Sequence, residues 1–177
     1  MKQIAVVGAG TMGLGIAHIM AQYGLNVSLI DLNEKILTES KKIISINTDR
    51  QIRKGVINDK QKKYILSNIS FTKEFNESVK NAELVIEAVP ENFELKKKIV
   101  KDLDSICKSD VIISSNTSSL SISSLADKTH YPDRIIGMHF MNPVPVMPLV
   151  EIVVGNSTSE KTIDSIKTLT KKINKSP

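Results

Sequence analysis

Cysteine is almost absent from this chain: Cys107 stands alone among 177 residues. One thiol closes no internal disulfide, and with no Cys/His cluster around it a zinc site is not indicated. Tryptophan is missing and aromatic residues make up only 4%, which leaves no evident stacking platform for single-stranded nucleic acid. No apolar run reaches the roughly 18 residues of a membrane span, and the opening MKQIAVVGAG is a short apolar stretch ended by glycines rather than a secretory signal. Internal repeats are absent as well. The expectation is a cytoplasmic protein without bound metal, nucleic acid or membrane, of a length that suits one sizeable core. Its net charge of +5 suits an anionic partner, and composition does not choose between nucleic acid, anionic lipid and a polyanionic metabolite. Runs such as Lys96-Lys97-Lys98 read as solvated helix faces.

What is present is an alternation of short aliphatic runs with longer segments of helical period, the pattern of βαβ units around a mostly parallel sheet. Ile4–Val7, Val27–Ile30, Glu83–Val89, Val111–Ser114, Ile135–His139 and Leu149–Val154 read as strands, with Ile69 and Phe71 marking a weaker one. Helical spacing runs from Leu14 to Tyr23, Asn33 to Lys54, Asn58 to Leu66 and Phe93 to Ile106, and Ile163, Ile166, Leu169 and Ile173 form a last stripe. The expected fold is therefore α/β: a doubly wound sheet of Rossmann type with a helical excursion after the second strand and an antiparallel edge strand. The lysines of that excursion suggest an exposed hairpin. SNTSSLSISS, too polar for core, reads as a functional loop, although its serines suit turns and helix caps equally well.

GAGTMG places Gly8, Gly10 and Gly13 in a G-x-G-x-x-G that follows a strand directly and opens a helix. In that context the glycines turn tightly, admit a pyrophosphate to the backbone and pack helix on strand, so Gly8–Gly13, Thr11 and Met12 included, form a candidate dinucleotide cradle. The next strand ends in Asp31, 18 residues beyond Gly13, where a carboxylate accepts hydrogen bonds from a ribose and repels a 2′-phosphate, favouring NAD over NADP. Ligands of open α/β sheets bind beyond the carboxyl ends of the strands. That edge also collects Glu91, Ser114–Ser119 and His139. If the Leu149–Val154 strand turns back antiparallel, Glu151 joins His139 there, and a carboxylate that orients one imidazole nitrogen leaves the other to take a proton. By spacing alone His139 reads as well as a satisfied core histidine, and His18 and His130 read as structural or surface residues.

GAGTMGLGIA, SNTSSLSI and above all GMHFMNPVPVMPLVEIV resemble the NAD-binding domain of the L-3-hydroxyacyl-CoA dehydrogenases, the bacterial short-chain 3-hydroxybutyryl-CoA enzymes among them, from Lys2 onward. The resemblance implies that His139 takes the hydroxyl proton of a 3-hydroxyacyl-CoA while its hydride passes to NAD, with Glu151 as partner of the histidine. It implies that Ser118 holds the substrate oxygen, that Asn142 lies near the nicotinamide ribose, that Glu91 and Lys96 contact the cofactor and that Lys54 touches coenzyme A. It implies further that an all-helical second domain, absent from this chain, pairs subunits into a homo-oligomer and adds a catalytic asparagine. Residues 1–177 are then one NAD-binding domain that binds cofactor and turns over poorly. Two alternatives stand beside it. A β-hydroxyacid dehydrogenase of the 3-hydroxyisobutyrate kind shares the glycine-rich turn but uses a lysine base and lacks HFMNPVP; a non-catalytic dinucleotide sensor has no need of the His139 and Glu151 pair.

Overall fold

Aliphatic runs of four to six residues are too short for stable helices, but they bury both faces when covered on each side of a parallel sheet. The computed structural model describes residues 1–177. Seven strands form, β1 (Gln3–Val7), β2 (Asn26–Ile30), β3 (Ile69–Thr72), β4 (Leu84–Glu87), β5 (Ile112–Ser115), β6 (Ile135–Phe140) and β7 (Val150–Val154). They lie in the order β3-β2-β1-β4-β5-β6-β7. All neighbours are parallel except β6 and β7, which pair antiparallel with His139 opposite Glu151. The strand order reverses between β1 and β4, which opens the crevice where such sheets take ligands.

Seven helices cover the sheet: α1 (Thr11–Gln22), α2 (Glu34–Arg53), α3 (Asp59–Ser67), α4 (Phe75–Lys80), α5 (Phe93–Ile106), α6 (Ile122–Ala126) and α7 (Glu160–Lys172). The period-2 alternation of β1 sends Ile4 and Val6 into a core shared with α1, α2, α3 and α7, and Ala5 and Val7 into a second core shared with α4, α5 and α6. Side-chain caps start most of these helices. Asn33, Asn58, Asn92, Ser121 and Ser159 each accept a hydrogen bond from a first-turn N–H.

Two expectations are corrected here. The α2–α3 excursion is not an exposed hairpin, because Leu37, Ile44, Ile57 and Ile65 are buried in the first core. The cause lies in α1, which is buried from Gly13 to Ala21; a helix apolar all round needs cover on the side away from the sheet, and α2 and α3 provide it. Nor is Lys96 solvated with its neighbours, since its side chain is 1% exposed and lies beneath the crevice. The short α4 and α6 are additions to the expected elements. The serine-rich segment divides, Ser121 capping α6 while Ser118 stays in the loop before it.

Candidate functional site

The crevice at the carboxyl ends of β1, β2, β4, β5 and β6 is a cleft of about 970 Å³. It starts at the glycine turn. Gly8 has φ of +99°, and a Cβ there would lie 2.7 Å from the Ala88 carbonyl oxygen at the end of β4; at Gly13 it would lie 1.7 Å from the Gly8 carbonyl oxygen. Turn, helix and strand can meet this closely only without side chains. At Gly10 nothing lies within 4 Å of a built Cβ, so the turn faces open cleft. Among the longer helices, α1 is the one that starts without a side-chain cap, and its first turn holds no acidic residue. Its free N–H groups and positive dipole end therefore face the cleft, flanked by Thr11 and Met12, which line it. An anion of pyrophosphate type fits that cradle.

Asp31 braces the same turn. Its Oδ2 accepts from the Ala9 N–H at 2.9 Å and its Oδ1 from the Asn33 N–H at 2.9 Å. Each carboxylate oxygen keeps a further acceptor direction, and the residue lines the cleft with Leu32 and Ile36, which leave an apolar mouth beside it. The far end of the cleft is built by β6 and β7. Gly137 gives Val153 and Ile122 room. Two residues on, the same face of β6 carries His139, opposite Glu151 of β7. His139 Nδ1 and Glu151 Oε2 are 2.7 Å apart. Glu151 stands behind the imidazole, whereas His139, Asn142 and Ser118 line the cleft. The antiparallel turn-back, conditional in the sequence, is what makes this pair.

Between the two ends lies a polar floor, buried at Lys96 and Thr117 and exposed at Glu91, Ser118 and Ser119. The Glu91 Oε1 accepts from Thr117 Oγ1, from the Ser118 N–H at 3.1 Å and from Ser119 Oγ at 3.1 Å. Burial by itself raises the Glu91 carboxyl, but the Thr117 hydrogen bond, the Lys96 ammonium and the bonds from Ser118 and Ser119 outweigh it and hold the group below its usual value. Lys96 Nζ reaches Glu87 Oε1 at 2.7 Å, the Val89 carbonyl at 3.0 Å and Glu91 Oε2 at 3.3 Å. Two of its three donors are thus spent on Glu87 and Val89, and Glu91 is an ion-pair neighbour. Lys54 caps the C-terminal end of α2 and lies outside the residues that line the cleft.

Glu87 was not among the expected site residues, and Ser115 and Asn116 were expected at this edge only as part of Ser114–Ser119, without a role of their own. Asn116 Oδ1 accepts the Phe140 N–H at 2.9 Å and so ties the β5 loop to the end of β6. Glu87 had a visible signal, an acid within the otherwise apolar LVIEAV. No group of three or more His, Cys, Asp or Glu side chains is placed to hold a metal ion, and no helix is long and apolar enough to cross a membrane.

A sheet wound in this order, with an uncapped helix behind a glycine turn at its switch point and an acid at the end of β2, defines a dinucleotide-binding domain of the Rossmann class. The chain belongs, more particularly, to the family described as "3-hydroxyacyl-CoA dehydrogenase, NAD binding domain", whose model matches residues 3–177. It is 42% identical over 175 residues to 3-hydroxybutyryl-CoA dehydrogenase of Clostridioides difficile, covering 99% of this chain and 62% of that one. The mitochondrial hydroxyacyl-coenzyme A dehydrogenase of Sus scrofa is 40% identical over 182 residues, with 100% of this chain and 58% of the relative covered. The crystal structure of (S)-3-hydroxybutyryl-CoA dehydrogenase from Ralstonia eutropha superposes with a TM-score of 0.97 at 42% identity, covering 100% of this chain and 62% of that one. The chain spans about six-tenths of the length of these relatives.

Proposed function

We propose that residues 1–177 are the cofactor-binding domain of an NAD-dependent dehydrogenase that interconverts a short-chain 3-hydroxyacyl-CoA, 3-hydroxybutyryl-CoA above all, and its 3-oxoacyl-CoA. The observation that carries the proposal is the His139–Glu151 pair, 2.7 Å apart, whose histidine lines the same cleft as the glycine turn. NAD, when bound, supplies the hydride acceptor. The chain's residues do the rest. The glycine turn and the first turn of α1 hold the pyrophosphate, Asp31 takes the adenosine ribose, and Asn142 with Glu91 borders the nicotinamide end. Glu151 accepts from the Nδ1 side of His139, which orients the ring and leaves Nε2 to take the substrate's hydroxyl proton. Ser118 donates a hydrogen bond to the same oxygen, favouring the charge it gains as the proton leaves.

An acyl-CoA also suits the charge distribution. Between Glu34 and Ser67 there are nine Lys and Arg against four Asp and Glu, an excess equal to the whole net charge of +5. That basic excursion, with Lys54 at the end of α2, suits the phosphates of coenzyme A. A homo-oligomer formed through a further helical domain, a cytoplasmic setting and a place in butyrate metabolism belong to the same reading. The sensor alternative leaves the histidine–carboxylate pair without a purpose.

The test is a pair of titrations with NADH and NADPH followed by nicotinamide fluorescence, and an assay of acetoacetyl-CoA reduction by NADH over a range of protein concentrations. NADH binds in preference to NADPH and turnover is slow, since losing one positioned hydrogen bond such as the asparagine's costs about a hundred- to a thousandfold. Failure to bind NADH, or tighter binding of NADPH, refutes the cofactor reading. Fast turnover by residues 1–177 refutes the need for a second domain.

A further inference from the structure

Glu87 has no part in the chemistry just described, yet it is fully buried, 0% exposed, at the end of β4 between Val7 of β1 and Ser115 of β5. Its Oε1 accepts from Lys96 Nζ at 2.7 Å and from the Val89 N–H at 2.7 Å; its Oε2 accepts from Ser115 Oγ at 2.6 Å. From Lys96 the contacts pass to Glu91 Oε2 at 3.3 Å, and from Glu91 to Thr117, Ser118 and Ser119. The path leaves β5 at Ser115, crosses β4 and α5, and returns two residues later to the loop that follows β5. It is a ring of polar contacts, one of them the Lys96–Glu91 ion pair, that runs from buried Glu87 out to Glu91 on the cleft wall and closes where the Thr117 N–H donates to Ser115 Oγ at 3.3 Å.

A buried ion pair is a poor device for stability, because desolvation of both charges offsets most of their attraction. Its value here is geometric. Lys96 has one strong carboxylate partner in Glu87 and a longer contact to Glu91, whose other oxygen is left to the Ser118 amide and the neighbouring hydroxyls. Without the negative charge of Glu87, the ammonium would be a buried cation with Glu91 as the nearest compensating charge. Glu91 would then be drawn inward, off Ser118 and Ser119.

We propose that Glu87 is a positioning residue: acting through Lys96, it sets the place of the Glu91 carboxylate and through it the conformation of the Ser118 loop. The consequence for ligand rests on the reading of the cleft as an NAD site. The displacement of Ser118 does not.

Two readouts on the 177-residue chain test this. Glu87→Gln keeps the shape and removes the charge. It shifts the Ser118 amide proton upfield in 1H–15N spectra, as that amide loses its carboxylate acceptor, and raises the NADH dissociation constant about tenfold, equivalent to about 1.4 kcal/mol. In a Glu91→Gln background the same change has less than about a twofold effect, because the route of influence is already cut. Glu87→Asp, which keeps the charge but shortens its reach to Lys96, produces a smaller effect of the same sign and keeps the test open if Glu87→Gln does not fold. An unmoved Ser118 amide in a folded variant, or equal loss of NADH affinity in both backgrounds, overturns the proposal. A wild-type chain that takes up no NADH refutes the cofactor reading instead, and the Ser118 amide still decides the positioning.

Discussion

His18 makes the stability of this domain depend on pH in a range where carboxylates are silent. It lies on α1, 0% exposed, with neither ring nitrogen hydrogen-bonded. Burial lowers its pKa from 6.5 to about 4, and the nearby Gln51 amide, short of hydrogen-bonding geometry, opposes the shift only weakly. The folded state therefore keeps His18 neutral while the unfolded chain takes up a proton below about pH 6.5. Stability falls as pH drops from about 7 toward about 4 and stops falling below that, where both states are protonated. Linkage between these two values gives a loss of about 2 kcal/mol from pH 8 to pH 5, or a melting temperature lower by roughly 4–8 °C for a domain of this size. Glu83, Glu91 and Asp104, all held below their usual values, contribute stability that is lost as pH falls from the ordinary carboxylate value through their lowered ones, so above about pH 5 it is almost fully in place and the His18 contribution dominates the change. The assay is urea or thermal unfolding of wild type and His18→Met at both pH values. Methionine fills a similar volume, leaves no unpartnered buried nitrogen and cannot titrate, so the variant equals or exceeds wild type at pH 8 and is about 2 kcal/mol less sensitive to acid. Parallel losses in the two proteins would show that His18 is hydrated or already protonated, and would refute the reasoning.

Asp31→Ala removes the proposed ribose acceptor and the brace on the Ala9 N–H together; NADH affinity is expected to fall by about 1.5–3 kcal/mol, and competitive titration to show the gap to NADPH narrowing. A larger loss for NADPH than for NADH would contradict this assignment. His139→Gln and Glu151→Gln, assayed at protein concentrations where slow turnover is measurable, reduce acetoacetyl-CoA reduction about 10²–10⁴-fold for the histidine and less for its partner, while NADH affinity stays within about threefold. Normal turnover in Glu151→Gln would leave Glu151 a purely structural residue. Cys107 is buried and its thiol is raised to about 11, so iodoacetamide at about pH 8 labels it only when urea unfolds the chain; rapid labelling of native protein would mean that α5 opens locally.

Most of the strands and long helices were legible because their signals are local. A buried parallel strand is an aliphatic run whatever lies beside it, and α5 shows its apolar stripe at helical spacing between Asn92 and Cys107. The short α4 and α6 escaped notice, since five or six residues carry too little periodicity to separate a helix from a polar turn. The excursion differs from its expected exposure for another reason: its lysines are visible in the sequence, but the demand of α1 for a cover on its outer face is a property of packing. Lys96 fell to the same limit. In the row Lys96-Lys97-Lys98 nothing local distinguishes the one cation that turns inward to Glu87.

The chain's own order of residues determined the glycine turn, the acid at the end of β2 and the alternation that winds a parallel sheet, because each depends on backbone sterics or on periodicity within a few neighbours. Tertiary structure alone decided the antiparallel register that sets Glu151 against His139, the closure of the Ser115–Glu87–Lys96–Glu91 ring and the burial of His18. Those depend on which distant segments share a surface, and on how much water is left between charges once they do. Contacts of 12, 26 and 28 residues' separation have no local pattern to announce them, since their energy appears only when the sheet has brought the strand ends together.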